Sequence, residues 1–101
     1  MGRKALAVGY PSRAAAIVFD RHREENGLTV NAVFKQGGWK ARERHSNLLK
    51  GVGEWTLEDV AQFAKFFKIS LRRAFLEIEH ETALLLASKE FPYQLEDEIA
   101  S

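Results

Sequence analysis

Two adjacent glycines set between two short helical patterns are the tightest constraint on this chain. In Leu28–Gly51, LTVNAVFKQGGWKARERHSNLLKG, the pair Gly37–Gly38 ends one pattern and permits a tight or kinked turn with positive φ before the next begins. Thr29 is placed to cap the first helix, which carries Val30, Val33 and Phe34 and ends near Gln36. The second runs from about Ala41 to Lys50. At ~100° per residue, Ala41, His45, Leu48, Leu49 and Val52 gather on one side of it. Glu43, Arg44, Ser46, Asn47 and Lys50 spread over the other.

A solvated helix face accounts for such a polar side without any function. The same side also offers a guanidinium, an amide, an ammonium and a hydroxyl, the groups that hydrogen-bond guanine, adenine and phosphate. Its place directly after a glycine turn favours a helix-turn-helix DNA reader, with the motif at 29–50. Charge supports this. Residues 1–50 carry ten Lys/Arg against four Asp/Glu, and residues 51–101 carry five against ten, so a net +1 conceals halves of +6 and −5. A basic working end facing a polyanion is the reading that this asymmetry favours over chance segregation.

The flanks predict further helices. Met1–Pro11, with Arg3 and Lys4, reads as a flexible basic arm of the kind that reaches into a DNA groove. Ser12 is the expected N-cap of a first helix running to about Asn26, with Gly27 as its stop. Thr56, with Asp59 three residues on, opens TLEDVAQFAKFF, whose Leu57, Val60, Phe63, Ala64 and Phe67 recur at helical spacing. Ser70 caps a fifth helix expected over Leu71 to about Lys89 and ended by Phe91–Pro92–Tyr93, before an acidic tail, Leu95–Ser101. Its stripe includes Phe75, Ile78, Leu85 and Leu86, more apolar surface than one small domain needs, which predicts a homodimer interface there. No strand pattern is evident, so the fold class is all-α: an arm at 1–11, a DNA-binding domain at 12–76, and a C-terminal helical extension with acidic tail at 77–101. A competing helix-turn-helix frame at Thr56–Leu76 is disfavoured. Its second helix becomes apolar and acidic beyond Arg72 and Arg73.

Three fragments in order resemble one family. HREENGLT (His22–Thr29), SNLLKG (Ser46–Gly51) and above all TLEDVAQFAKFFKIS (Thr56–Ser70) are similar to the lambda-repressor-like, Cro-type helix-turn-helix family over roughly residues 14–76. The segment between Leu28 and Gly51 is one residue longer than the family's pattern, and His22 and His45 replace aliphatic residues. The resemblance implies a compact five-helix domain acting as a dimeric, phage-type transcriptional repressor on a palindromic operator. Lys40, Arg42, Lys35, Arg3 and Lys4 are then expected on phosphates, with Thr29 and Asn31 at the start of the second helix. Glu43, Arg44, Ser46, Asn47 and Lys50 are expected on base edges. The different-class alternative is a protein-interaction or antitoxin-like module docking a partner through the Leu-rich last helix.

Other chemistry finds little footing. There is no cysteine, no phosphate loop and no serine-nucleophile motif, and the three histidines are scattered. No enzyme activity, cofactor or metal is expected. Trp39 and Trp55 read as core residues rather than base-stacking platforms. No apolar run approaches the ~18–20 residues of a membrane span, so a cytoplasmic protein is expected.

Overall fold

The computed structural model describes residues 9–100, with side chains through Ser88. Five helices follow one another, α1 Tyr10–Glu25, α2 Val30–Gln36, α3 Arg42–Lys50, α4 Leu57–Phe66 and α5 Leu71–Ala100, and there is no strand among the described residues. α1 packs most extensively along α5, and α3 lies against α1.

Local chemistry explains most boundaries. The Thr29 hydroxyl accepts the Ala32 amide at 3.0 Å and so starts α2. Thr56 and Asp59 form a complete capping box at α4, each accepting the other's backbone amide. Gly51, at φ 82°, closes α3 in the left-handed conformation that glycine adopts without strain. Ser70 caps α5 by accepting the Arg73 amide at 3.0 Å.

Two boundaries depart from expectation. α1 begins at Tyr10 rather than after Ser12, with Gly9 as N-cap and Pro11 in the first turn, where a missing N–H leaves no bond unmade. Ser12 is instead buried, and its Oγ accepts the Trp55 amide at 2.8 Å. α5 does not stop at Phe91–Pro92–Tyr93 but continues to Ala100, through what was expected to be a tail. Proline removes one i→i−4 bond and crowds one carbonyl. The residues after it can resume helical bonding, so it weakens a helix without dictating its end.

The core is built on Phe19, Val18, Val33, Leu48, Phe63 and Ala74, each at most 1% exposed. Ala14, Ala15 and Ala16 on α1 are buried with them. Aromatic rings fill the centre: Phe63 lies 5.4 Å from Phe19, 4.8 Å from Trp55 and 4.4 Å from Trp39 by ring centroids. Both tryptophans pack against this core, as their positions in the sequence predict. An ion pair, Arg21 to Glu81 at 3.0 Å, and a hydrogen bond between His22 Nε2 and Glu77 at 2.9 Å tie α1 to α5.

Candidate nucleic-acid interface

α2 and α3 form the helix pair expected at residues 29–50, and three contacts hold α3 in place. Beneath it, His45 is 1% exposed in an aromatic box: its ring stacks on Phe63 at 5.4 Å and lies 4.7 Å from Trp39 and 5.4 Å from Phe34. Burial, with the nearby Arg42 guanidinium adding to it, lowers the His45 pKa below the ordinary imidazole value, so the ring is neutral at neutral pH. At the C-terminal end, Trp55 Nε1 donates to the Leu48 carbonyl at 3.0 Å. At the N-terminal end, Arg42 donates to the Asn31 side-chain oxygen and lies 4.4 Å over the Phe34 ring, clamping α3 to α2.

Arg44, expected on a base edge, makes an ion pair within the domain while its side chain stays half exposed. Its guanidinium is bound in a fork to Asp59, Nη1 to Oδ1 at 2.9 Å and Nη2 to Oδ2 at 2.7 Å. Asp59 is 5% exposed and already caps α4. Burial by itself would raise the Asp59 pKa, but the Arg44 hydrogen bonds, the Thr56 donors and the Arg44 charge together hold it below the ordinary carboxylate value.

Asp59→Ala is therefore expected to destabilise the domain by about 1–2 kcal/mol, roughly 1 for the cap and less than that for an ion pair whose arginine is half exposed. A carboxylate with a depressed folded pKa stabilises above its unfolded value, and that contribution is lost as pH falls through the folded one. Thermal melts from pH 7 to 3 should thus show the wild-type advantage over Asp59→Ala shrinking with acid. A constant difference across that range would refute this linkage.

With Arg42 and Arg44 engaged internally, the groups left on the outer side of α3 are Glu43, Ser46, Asn47 and Lys50, with Lys40 just before the helix. Glu43, Lys40 and Lys50 are exposed, while Ser46 and Asn47 are half-buried. Ala41, Glu43, Arg44, Asn47, Gly53 and Glu54 line a groove of about 400 Å³ beside α3. Thr29 and Asn31 are exposed at the start of α2, where both are already engaged, as cap and as acceptor from Arg42. Arg3 and Lys4 lie outside the described residues.

The expected dimer stripe on α5 divides. Ile78 is 7% exposed and Leu85 is half-buried against the domain's own core, so most of each is covered within the chain. Helical spacing identifies an apolar stripe but does not tell which body covers it. Phe75 and Leu86 instead border an open apolar groove of about 550 Å³ with Pro11, Thr82 and Ala83, floored by Ile78. The disfavoured frame at 56–76 gains nothing, since Arg73 is paired with Glu77 at 2.8 Å. Sequence reasoning missed which residues support α3: it placed Ser12 and Asp59 as caps and Trp55 in the core, and nothing local showed that they hold this helix.

Among the described residues no group of His, Asp and Glu could hold a metal ion, and no helix is long and apolar enough to cross a membrane. Comparison with protein-family models, curated proteins and solved structures returns no match to the chain.

Proposed function

We propose that the chain is a sequence-specific double-stranded DNA-binding regulator, a repressor of the lambda-repressor-like kind, that reads the major groove with residues 41–50. The observation that carries this reading is the outer side of α3. It holds hydrogen-bonding groups that are unpaired among the described residues, on a helix locked from below by His45 and Trp55 and from the side by the Arg42–Asn31 clamp. That is the preorganisation a reader needs, because side chains that are ordered beforehand lose little freedom on docking. Lys35, Lys40 and Lys50 supply sequence-independent attraction to phosphates. A lone helix-turn-helix covers few base pairs, so the protein acts as a homodimer joined across the Phe75–Leu86 face of α5.

The test is binding of the full chain to random duplex DNA at rising salt, followed by selection of preferred sites from a random pool. Affinity should fall linearly on logarithmic axes of salt, and a palindromic motif should emerge. Asn47→Ala should weaken binding to that motif by about 1–3 kcal/mol, the worth of one good bidentate base contact. Absence of binding at low salt would overturn the reading.

The apolar groove on α5 favours a second reading, an interaction module that docks a protein partner there. Under that reading Phe75→Glu would abolish partner binding while DNA titrations stayed flat.

A further inference from the structure

The internal pairing of α3 leaves one group with a chemical signature that the others lack. Glu43 is exposed, lines the groove beside α3, and has neither an ion pair nor a side-chain hydrogen bond among the described residues. The two arginines beside it in sequence are occupied, Arg44 by both oxygens of Asp59 and Arg42 by Asn31 and the Phe34 ring, and Lys50, seven residues on, makes no ion pair with it. An unpaired carboxylate on a DNA-facing surface is repelled by phosphates and by every acceptor in the groove. It gains only where the DNA offers a hydrogen-bond donor.

We infer that Glu43 is a specificity-determining residue that accepts a hydrogen bond from the exocyclic amine of a cytosine in the major groove. This rests on the DNA-binding reading and names one base within it. The major-groove edges decide among the four. Guanine presents N7 and O6, both acceptors, and thymine presents O4 beside a methyl group, so both repel or exclude a carboxylate. Adenine offers its N6 amine but sets the N7 acceptor next to it, whereas cytosine offers N4 alone. A group that carries only acceptors therefore selects cytosine, largely by rejecting the other bases. Asn47, four residues on, borders the same groove and has both a donor and an acceptor, the pair that fits adenine N6 and N7. At 1.5 Å rise per residue the two side chains are offset by about 6 Å along α3, close to two base-pair steps of ~3.4 Å. The cytosine therefore falls within about two base pairs of the adenine.

The experiment selects sites from a random duplex pool with the full chain as wild type, Glu43→Ala and Glu43→Gln, each checked for its helical circular dichroism. The wild type is expected to enrich a motif with one fixed cytosine. Changing that C·G pair to T·A should weaken its binding about tenfold or more. Glu43→Ala should bind both versions within about twofold of each other and should bind random duplex more tightly than wild type does, since an anionic group is gone. Glu43→Gln, which carries a donor beside its acceptor, should move the preference at that position from cytosine to adenine. A lost fold would depress all binding and could not produce this combination of relaxed choice and raised non-specific affinity. If Glu43→Ala keeps the cytosine preference, the assignment is overturned while the DNA reading stands. If the wild type enriches no motif, the DNA reading fails and takes this inference with it.

Discussion

Replacing Phe63 with alanine is expected to destabilise the domain by about 3–5 kcal/mol, the range for truncating a fully buried aromatic. Phe63 is 0% exposed, and its ring touches Phe19, Trp39, His45 and Trp55, which come from α1, the α2–α3 turn, α3 and the loop before α4. Among the described residues no other ring is shared so widely between the reader pair and its support. A domain of this size has a stability of about 5–15 kcal/mol, so the variant would approach the threshold of folding. Urea titration measures the loss. Leu57→Ala, at a side chain 70% exposed on the same helix, serves as a control expected to change stability by less than about 0.5 kcal/mol. A Phe63→Ala loss under about 1 kcal/mol would mean that the cluster closes over the gap and does not hold the domain together.

The second large effect concerns a glycine that has no unusual backbone angle. Gly37, at φ −85°, could be any residue by its conformation. A Cβ there would lie 1.9 Å from the Trp39 ring, far inside contact distance. That ring cannot swing aside freely, because His45, Phe63 and Phe66 lie against it at centroid distances of 4.7, 4.4 and 5.8 Å. Gly37→Ala is therefore expected to cost about 2–3 kcal/mol, the cost of overpacking. Shortening the neighbour tests the cause. Gly37→Ala combined with Trp39→Leu should lose clearly less than the sum of the two single changes, since both act on one contact. Strict additivity in urea titrations would show that the glycine is needed for another reason. Gly38, with φ 76°, meets nothing within 4 Å and is needed only for its conformation. The two glycines of the turn thus serve different purposes.

What could be read from the sequence was the part decided by near neighbours. Thr29, Thr56 and Ser70 mark helix starts through bonds spanning a few residues, and each acts where its type and spacing predict. The order and number of the helices followed from the same signals. Ser12 was misassigned because its hydroxyl serves an amide 43 residues away, and no local pattern carries that information. Arg44 looked like a base reader because a helix wheel shows which way a residue faces but not what waits there. Asp59, fifteen residues on, holds the guanidinium in a fork that no wheel displays. Ile78 and Leu85, expected in a dimer stripe, pack on the domain's own core for the mirror-image reason, since apolar spacing identifies a surface to be covered and is silent on whether the cover is the same chain. The outward groups Glu43, Asn47 and Lys50 could be identified early. Which of them remained unpaired could not.

The seam between α1 and α5 joins parts of the chain that are distant in sequence, with Arg21 and Glu81 separated by 60 positions and His22 and Glu77 by 55. The whole reader pair lies inside that loop. Its helices have 7 and 9 residues, below the ~12–15 at which an isolated helix begins to persist in water. Closing so long a loop must precede the contacts that reward it. Order in the middle of the chain therefore depends on its two ends meeting, and a cut that frees either end should dissolve the reader together with the seam, in one cooperative step.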